Sequence, residues 1–197
     1  MDSQGFEEFR KQLLKCRDCS FLGTEPKPIF WGDINAKIVQ ISQAPSQNAS
    51  RSGRPFSKNL HESDESGKKL IEWYSIPRET FYDPKVFYIT GMAHCYPGKD
   101  RSGDAEPPQI CARKWLRKEL SYLNPRLYVI VGRHSASFFF PGRSFTELVF
   151  RNLGINHKQA FVLPHPSPAN KKWFKENPEF GTKRLQDVRK IVHEALR

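Results

Sequence analysis

Four short apolar runs interrupt a chain that is otherwise polar or mixed: Ile38-Val39-Gln40-Ile41, Val86–Thr90, Leu127–Val131 and Ala160–Leu163. β-Branched and aromatic residues fill them and turn residues end them, so they read as buried strands. Between them, apolar residues recur at helical spacing. Phe6–Lys15 carries them at 6, 9, 13 and 14, and Gly67–Ile76 at 70, 71, 73, 74 and 76, with Ser63 or Asp64 as N-cap. Pro108–Leu123 repeats the pattern, with Pro108 near its first turn and Cys111 on its N-terminal turn. Helical segments also fall around His134–Phe140 and Phe145–Leu153, and Thr182–Leu196 closes the chain. Short strands separated by helices predict an α/β fold, a three-layer αβα arrangement around a central four-stranded parallel sheet. There is no internal repeat or second domain, so residues 1–197 are expected as a single domain.

In open α/β sheets, ligands bind beyond the carboxyl ends of the strands. Three loops leave such ends: Gln43–Phe56, Gly91–Cys95 and His165–Asn170. The first belongs to the stretch KIVQISQAPSQNASRSGRPF. No Asp or Glu occurs from Ile34 to His61, so this loop has no carboxylate of its own. In the last, Pro166 and Pro168 stiffen a backbone that presents the His165 imidazole and the Ser167 hydroxyl together, as a structural turn or as a functional loop. Ser20–Gly32 reads as irregular, Tyr96–Pro107 as a loop, and Ser57–Ser66 as a polar surface insertion.

A formal net charge of +11 over 197 residues favours a polyanionic partner, nucleic acid most simply. No stretch approaches the length and apolarity of a membrane helix. The charged N-terminus lacks the apolar region of a signal peptide, which points to a cytoplasmic location. The four cysteines follow the pattern Cys16-x2-Cys19, a long gap, then Cys95-x15-Cys111. In such a chain this reads as a four-thiolate metal or iron–sulfur site, or as four unrelated buried thiols.

Taken together, SQAPS with SGRPF after the first strand, HPSPAN after the last, the cysteine spacing, and the surrounding YITGMAHCYPG and CARKWLRKELSYLNPRLYVIVG resemble the uracil-DNA glycosylase superfamily, in its iron–sulfur families four and five. The resemblance runs from about Cys16 to about Asn170. It implies a monofunctional DNA glycosylase of base excision repair. Such an enzyme flips a deaminated base, uracil or also hypoxanthine, and hydrolyses its N-glycosidic bond. The alternative is a catalytically inactive iron–sulfur DNA-binding protein of the same fold. Cys16, Cys19, Cys95 and Cys111 would hold a 4Fe-4S cluster, with damaged DNA as partner, no membrane, and a monomer expected. His165 would stabilise the departing base and Gln43 would face the water. Phe56 would stack on the base in a pocket shared with Ser42, Ala44 and Gly91. Ser46, Pro166, Ser167, Asn170, Lys171 and Lys172 would touch DNA, with Trp173 in the segment that enters the groove. Two positions depart from family four. Gln43 stands where a Glu activates water, and an amide cannot accept a proton. Gly91 stands where an Asn reads uracil, which would weaken uracil specificity or widen it towards hypoxanthine and other deaminated bases.

Overall fold

The computed structural model describes every residue except Met1, Thr24 and Ser102, and it also leaves the side chain of Leu22 undescribed. Thr24 and Ser102, in two of the stretches expected to be irregular, thus lie outside the described residues. The strands are β1 Ile38–Ser42, β2 Phe87–Gly91, β3 Leu127–Val131, β4 Leu153–Ile155 and β5 Lys158–Leu163. The sheet runs β2-β1-β3-β5-β4. β1 pairs in parallel with β2 and β3, and β3 with β5; β4 lies antiparallel to β5. Every residue of β1, β2 and β3 is buried, as two-sided coverage demands.

The sheet is therefore five-stranded and mixed, where the sequence pattern had suggested four parallel strands. The added strand is a three-residue edge strand containing Gly154, partly exposed along its length. Its turn uses Asn156 and His157 at φ of 50° and 61°, the mirror-image geometry that closes two-residue hairpins. Nothing in its short, polar-flanked run distinguishes it from the end of the preceding helix. That helix stops at Val149.

The helices are α1 Ser3–Leu14, α2 Gln47–Ser52, α3 Glu65–Tyr74, α4 Arg78–Phe81, α5 (109–121), α6 Arg133–Phe139, α7 Phe145–Val149, α8 Lys171–Glu176 and α9 Leu185–Leu196. A π-helical turn, Ala112–Leu116, sits inside α5 directly after Cys111. Neighbouring residues of a strand face opposite sides of the sheet. On β2, Phe87 stacks 5.8 Å from Tyr74 of α3, while Tyr88 meets Phe6 of α1 at 6.3 Å and donates to Glu119 Oε1 of α5 at 2.7 Å. Helices thus cover both faces, giving three layers. α9 packs beside α3. Among the described residues no helix is long and apolar enough to cross a membrane.

The stretch Ser57–Ser66 is not wholly a surface insertion. Ser57 and Ser63 are buried and pair as an antiparallel bridge. Asp64 caps α3 by accepting the Gly67 N–H at 2.8 Å, so Glu65 and Ser66 already belong to the helix.

Candidate active site

The carboxyl ends of β1, β2, β3 and β5 open into one cleft of about 740 Å³. It gathers Ser42, Gln43, Ala44, Ser46, Phe56, Gly91, His165, Ser167 and Asn170 from the three loops expected to form it. Pro166, Lys171 and Lys172 are not among its lining residues. The two lysines stand exposed on α8, with Lys172 3.8 Å from Glu176. Trp173 is not free to enter a groove. Its Nε1–H donates to Thr146 Oγ1 at 3.0 Å, and its ring packs among Phe145, Phe150, Phe174 and Phe180.

His165 stands two residues beyond the end of β5, after Pro164. Burial lowers its pKa to about 4, so the ring is neutral at physiological pH. The Ser167 N–H donates to His165 Nδ1 at 3.3 Å, which leaves the proton on Nε2. Asn170 Nδ2 donates to the His165 carbonyl at 2.7 Å and fixes the turn. The imidazole backs onto Gly132, where a Cβ would lie 3.5 Å from the His165 Cβ and the backbone holds φ at 90°. The end of β3 joins the three expected loops and lines the cleft with Gly132, Arg133 and His134. The rule that pointed to the other strand ends applied there equally.

Phe56 sits at φ 54°, a conformation that costs an ordinary residue about 1–2 kcal/mol. Two donors converge on its carbonyl and hold it there: Tyr82 O–H at 2.6 Å and Asp64 N–H at 2.9 Å. The result places a half-buried ring on the cleft wall, edge-on to Phe81 at 6.3 Å.

Asp64 also lines the cleft, beside Ser46 and Ser66. Burial raises its pKa, opposed by the Gly67 and Ser66 N–H groups and the Ser46 hydroxyl that it accepts. The carboxylate absent from the first loop therefore arrives from the cap of α3. The sequence offers Ser63 or Asp64 as the N-cap of this helix, but does not place that cap in the cleft. The signal was its position just ahead of a helical pattern, where an Asp side chain faces the helix's open N–H groups.

Gln43 lines the cleft, and its Nε2 donates to Ala105 O at 3.5 Å. Ala105 follows a small hairpin, Lys99–Asp100 with Gly103–Asp104, that contributes Lys99, Gly103 and Asp104 to the cleft. β2 ends at Gly91, and the chain bends at Met92. Met92 N–H and Ala93 N–H donate to the carbonyls of Ser42 and Gln43 at 2.9 and 3.1 Å. A Cβ at position 91 would meet Ala93 O at 3.0 Å and Ser42 O at 3.2 Å, both backbone atoms held in that turn.

All four cysteines line a second cavity, between α1 and α5 and beside the cleft, and none forms a disulfide. Ala93, His94 and Pro97 line both cavities. Burial, then the neighbouring thiols Cys111, Cys16 and Cys19, push the Cys95 pKa up to about 12. Trp115 Nε1–H points at Cys16 Sγ, 3.3 Å away, and His94 Nδ1 lies 3.5 Å from Cys111 Sγ. His94 Nε2 sits 3.0 Å from Glu119 Oε2, which also accepts from Thr90 Oγ1 at 2.8 Å. Burial works against charge on His94, but Glu119 and Cys111 outweigh it and raise the pKa to about 10. Among the described residues, no group of three or more His, Cys, Asp or Glu side chains is gathered so as to hold one metal ion.

Similar proteins carry related names. A type-5 uracil-DNA glycosylase of Pyrobaculum aerophilum is 28% identical over 174 residues, covering 81% of this chain and 73% of its own. Type-4 uracil-DNA glycosylases of Sulfurisphaera tokodaii and Thermotoga maritima are 24% and 25% identical, covering 100% and 80% of this chain and 86% and 79% of their own. The profile of the uracil DNA glycosylase superfamily matches residues 29–189, a span that holds all five strands of the sheet and every residue of the cleft, and the chain belongs to that superfamily.

Proposed function

We propose that this protein is a monofunctional DNA glycosylase that extrudes uracil from DNA and hydrolyses its N-glycosidic bond. The observation that carries this reading is one cleft that collects a neutral imidazole donor, a carboxylate and an aromatic wall. The extruded base stacks on Phe56, which replaces the neighbours it loses on leaving the duplex. As the bond between C1′ and the base nitrogen breaks, the base departs as an anion. His165 Nε2–H donates to the base oxygen on which that charge develops; being neutral throughout, it gives no proton away. The sugar is left cationic, and the Asp64 carboxylate stabilises it. A water bonds to C1′ and passes its proton to Asp64, from which the departed base is reprotonated. Gln43 has no part in accepting that proton, and its amide serves to hold the loop that follows the Lys99–Asp104 hairpin. With Gly91 supplying no side chain, the edge of the base is read less strictly, which extends the substrates to hypoxanthine.

The cysteines suit a 4Fe-4S cluster. In such a cluster each thiolate binds its own iron, so the four must surround a cavity rather than meet at a point, and these four do line one cavity. Burial, and after it the neighbouring thiols, raise the Cys95 pKa, a cost that a bound cluster would offset. When bound, the cluster supplies a crosslink between the end of α1, the loop after β2 and the start of α5.

Single-turnover excision on uracil- and hypoxanthine-containing DNA, read as alkali-labile abasic sites, tests the reading. The wild-type protein should release uracil. Asp64→Asn keeps an N-cap of equal quality and so keeps the fold. It should nonetheless lose roughly two orders of magnitude in rate, the scale of removing one proton acceptor. Wild-type DNA binding without excision of either base would instead mark a non-catalytic DNA-binding protein, and full activity in Asp64→Asn would return the carboxylate to a purely structural role.

A further inference from the structure

A base that enters the cleft brings its pairing edge with it, and uracil differs from cytosine only on that edge. Uracil shows a carbonyl beside a ring N–H; cytosine shows an amino group beside a bare ring nitrogen. Hypoxanthine and adenine differ in the same way. A site that separates the members of each pair needs a donor and an acceptor side by side, in a fixed order. A carboxamide supplies both from one side chain.

Two carboxamides line the cleft, Gln43 and Asn170. Asn170 belongs to the His165 loop, where its Nδ2 is held at 2.7 Å by the His165 carbonyl. Gln43 leaves the end of β1 beside Gly91: a Cβ at position 91 would lie 3.4 Å from the Gln43 carbonyl. Gly91 adds no side chain there, and the nearby hydroxyls are committed. Ser42 Oγ donates to the Thr90 carbonyl at 3.3 Å, and Thr90 Oγ1 donates to Glu119 Oε2 at 2.8 Å. The Gln43 amide is only half engaged. Its Nε2 donates once, to Ala105 O at 3.5 Å. Among the described residues nothing bonds to its Oε1, and that oxygen is not sealed from the cleft.

The bond to Ala105 also sets an order. An amide free to turn over reads either edge, because exchanging its oxygen and nitrogen exchanges acceptor and donor. A carbonyl at one side keeps the nitrogen there, since turning over would set two oxygens against each other. What remains for the base is Oε1 as acceptor and one N–H as donor, in one arrangement only.

We propose that Gln43 reads the edge of the extruded base, admitting a ring N–H beside a carbonyl and rejecting an amino group beside a bare nitrogen. This rests on the glycosylase reading and names the substrate class of that site: lactam bases such as uracil and hypoxanthine, against cytosine and adenine.

The test measures binding to duplexes carrying 2′-fluoro-2′-deoxyuridine, 2′-fluoro-2′-deoxycytidine or an abasic-site analogue. Each lies opposite the same mismatched thymine, and the fluorine resists cleavage. Wild type should prefer uracil to cytosine by roughly tenfold to a hundredfold, the scale of one bidentate contact. Gln43→Ala should bring the two near equality and leave the affinity for the abasic duplex unchanged. Single-turnover excision of natural uracil and hypoxanthine should slow together in that variant. Gln43→Glu offers acceptors only, so it should not restore the preference. Faster excision by Gln43→Glu than by wild type would give this position to the water and overturn the assignment. So would a wild type that binds uracil and cytosine equally, a preference that survives in Gln43→Ala, or a loss that extends to abasic DNA. A wild type that discriminates through Gln43 yet excises neither base would refute the glycosylase reading and uphold the assignment of Gln43.

Discussion

A histidine that burial keeps neutral is a constant donor rather than a proton carrier. His165, with its pKa near 4 and Nδ1 accepting from Ser167, should hold its proton on Nε2 across the working pH range. Nitrogen NMR of the labelled protein should show one neutral tautomer at pH 6 and titration only near pH 4; a midpoint near 6.5 would remove the desolvated ring from the mechanism. The same shift bears on stability. The unfolded chain binds a proton below about pH 6.5, where folded His165 does not. Its contribution is therefore complete above that pH and is lost progressively as pH falls from about 6.5 to about 4. His165, Gln43 and Phe56 were legible in the sequence because they follow strand ends in recognisable strings. Asp64 was legible as a candidate N-cap of α3 but not as a wall of the cleft, which depends on how α3 packs beside the loop after β1. Nor was the left-handed backbone of Phe56, which two donors from distant residues impose.

At the scale of elements, β2 and α5 are joined through one buried carboxylate. Glu119 accepts from Tyr88 on the strand, from Thr90 at its end and from His94 just beyond it. Glu119→Ala would leave the buried Tyr88 hydroxyl without its acceptor and strip His94 of the carboxylate that holds its charge in the core. Breaking a buried pair in this way costs about 3–5 kcal/mol, to be read from urea denaturation midpoints at pH 7. A change below about 1 kcal/mol would mean that the network is not what fixes β2 against α5. The strands themselves were readable because each central one is a near-continuous β-branched or aromatic run covered on both faces. β4 was hidden because an edge strand needs no such run. The π-turn in α5 was hidden because the apolar positions of 109–121 fit an ordinary α-helix as well.

For the molecule as a whole, the spacing of the cysteines was legible but their meeting place was not, since it depends on how α1 and α5 pack over the same face of the sheet. Phe9 of α1 meets Trp115 of α5 at 5.9 Å, and this contact brings Cys16 and Cys19 to the cavity that Cys95 and Cys111 also line. The Lys99–Asp104 hairpin hangs between Cys95 and Cys111 and forms part of the cleft wall. A cluster at the thiols would therefore act on the cleft through the hairpin and through Ala93, His94 and Pro97, which line both cavities, while the central strands β1, β3 and β5 would be untouched. Cys111→Ala should abolish iron binding and the accompanying visible absorbance. Hydrogen exchange should then quicken at Lys99–Asp104 and at the end of α1 while the central strands stay protected. Iron content unchanged in Cys111→Ala would detach these thiols from any cluster. Loss of iron with exchange accelerated evenly across the sheet would show that the crosslink supports the core as a whole rather than the wall of the cleft.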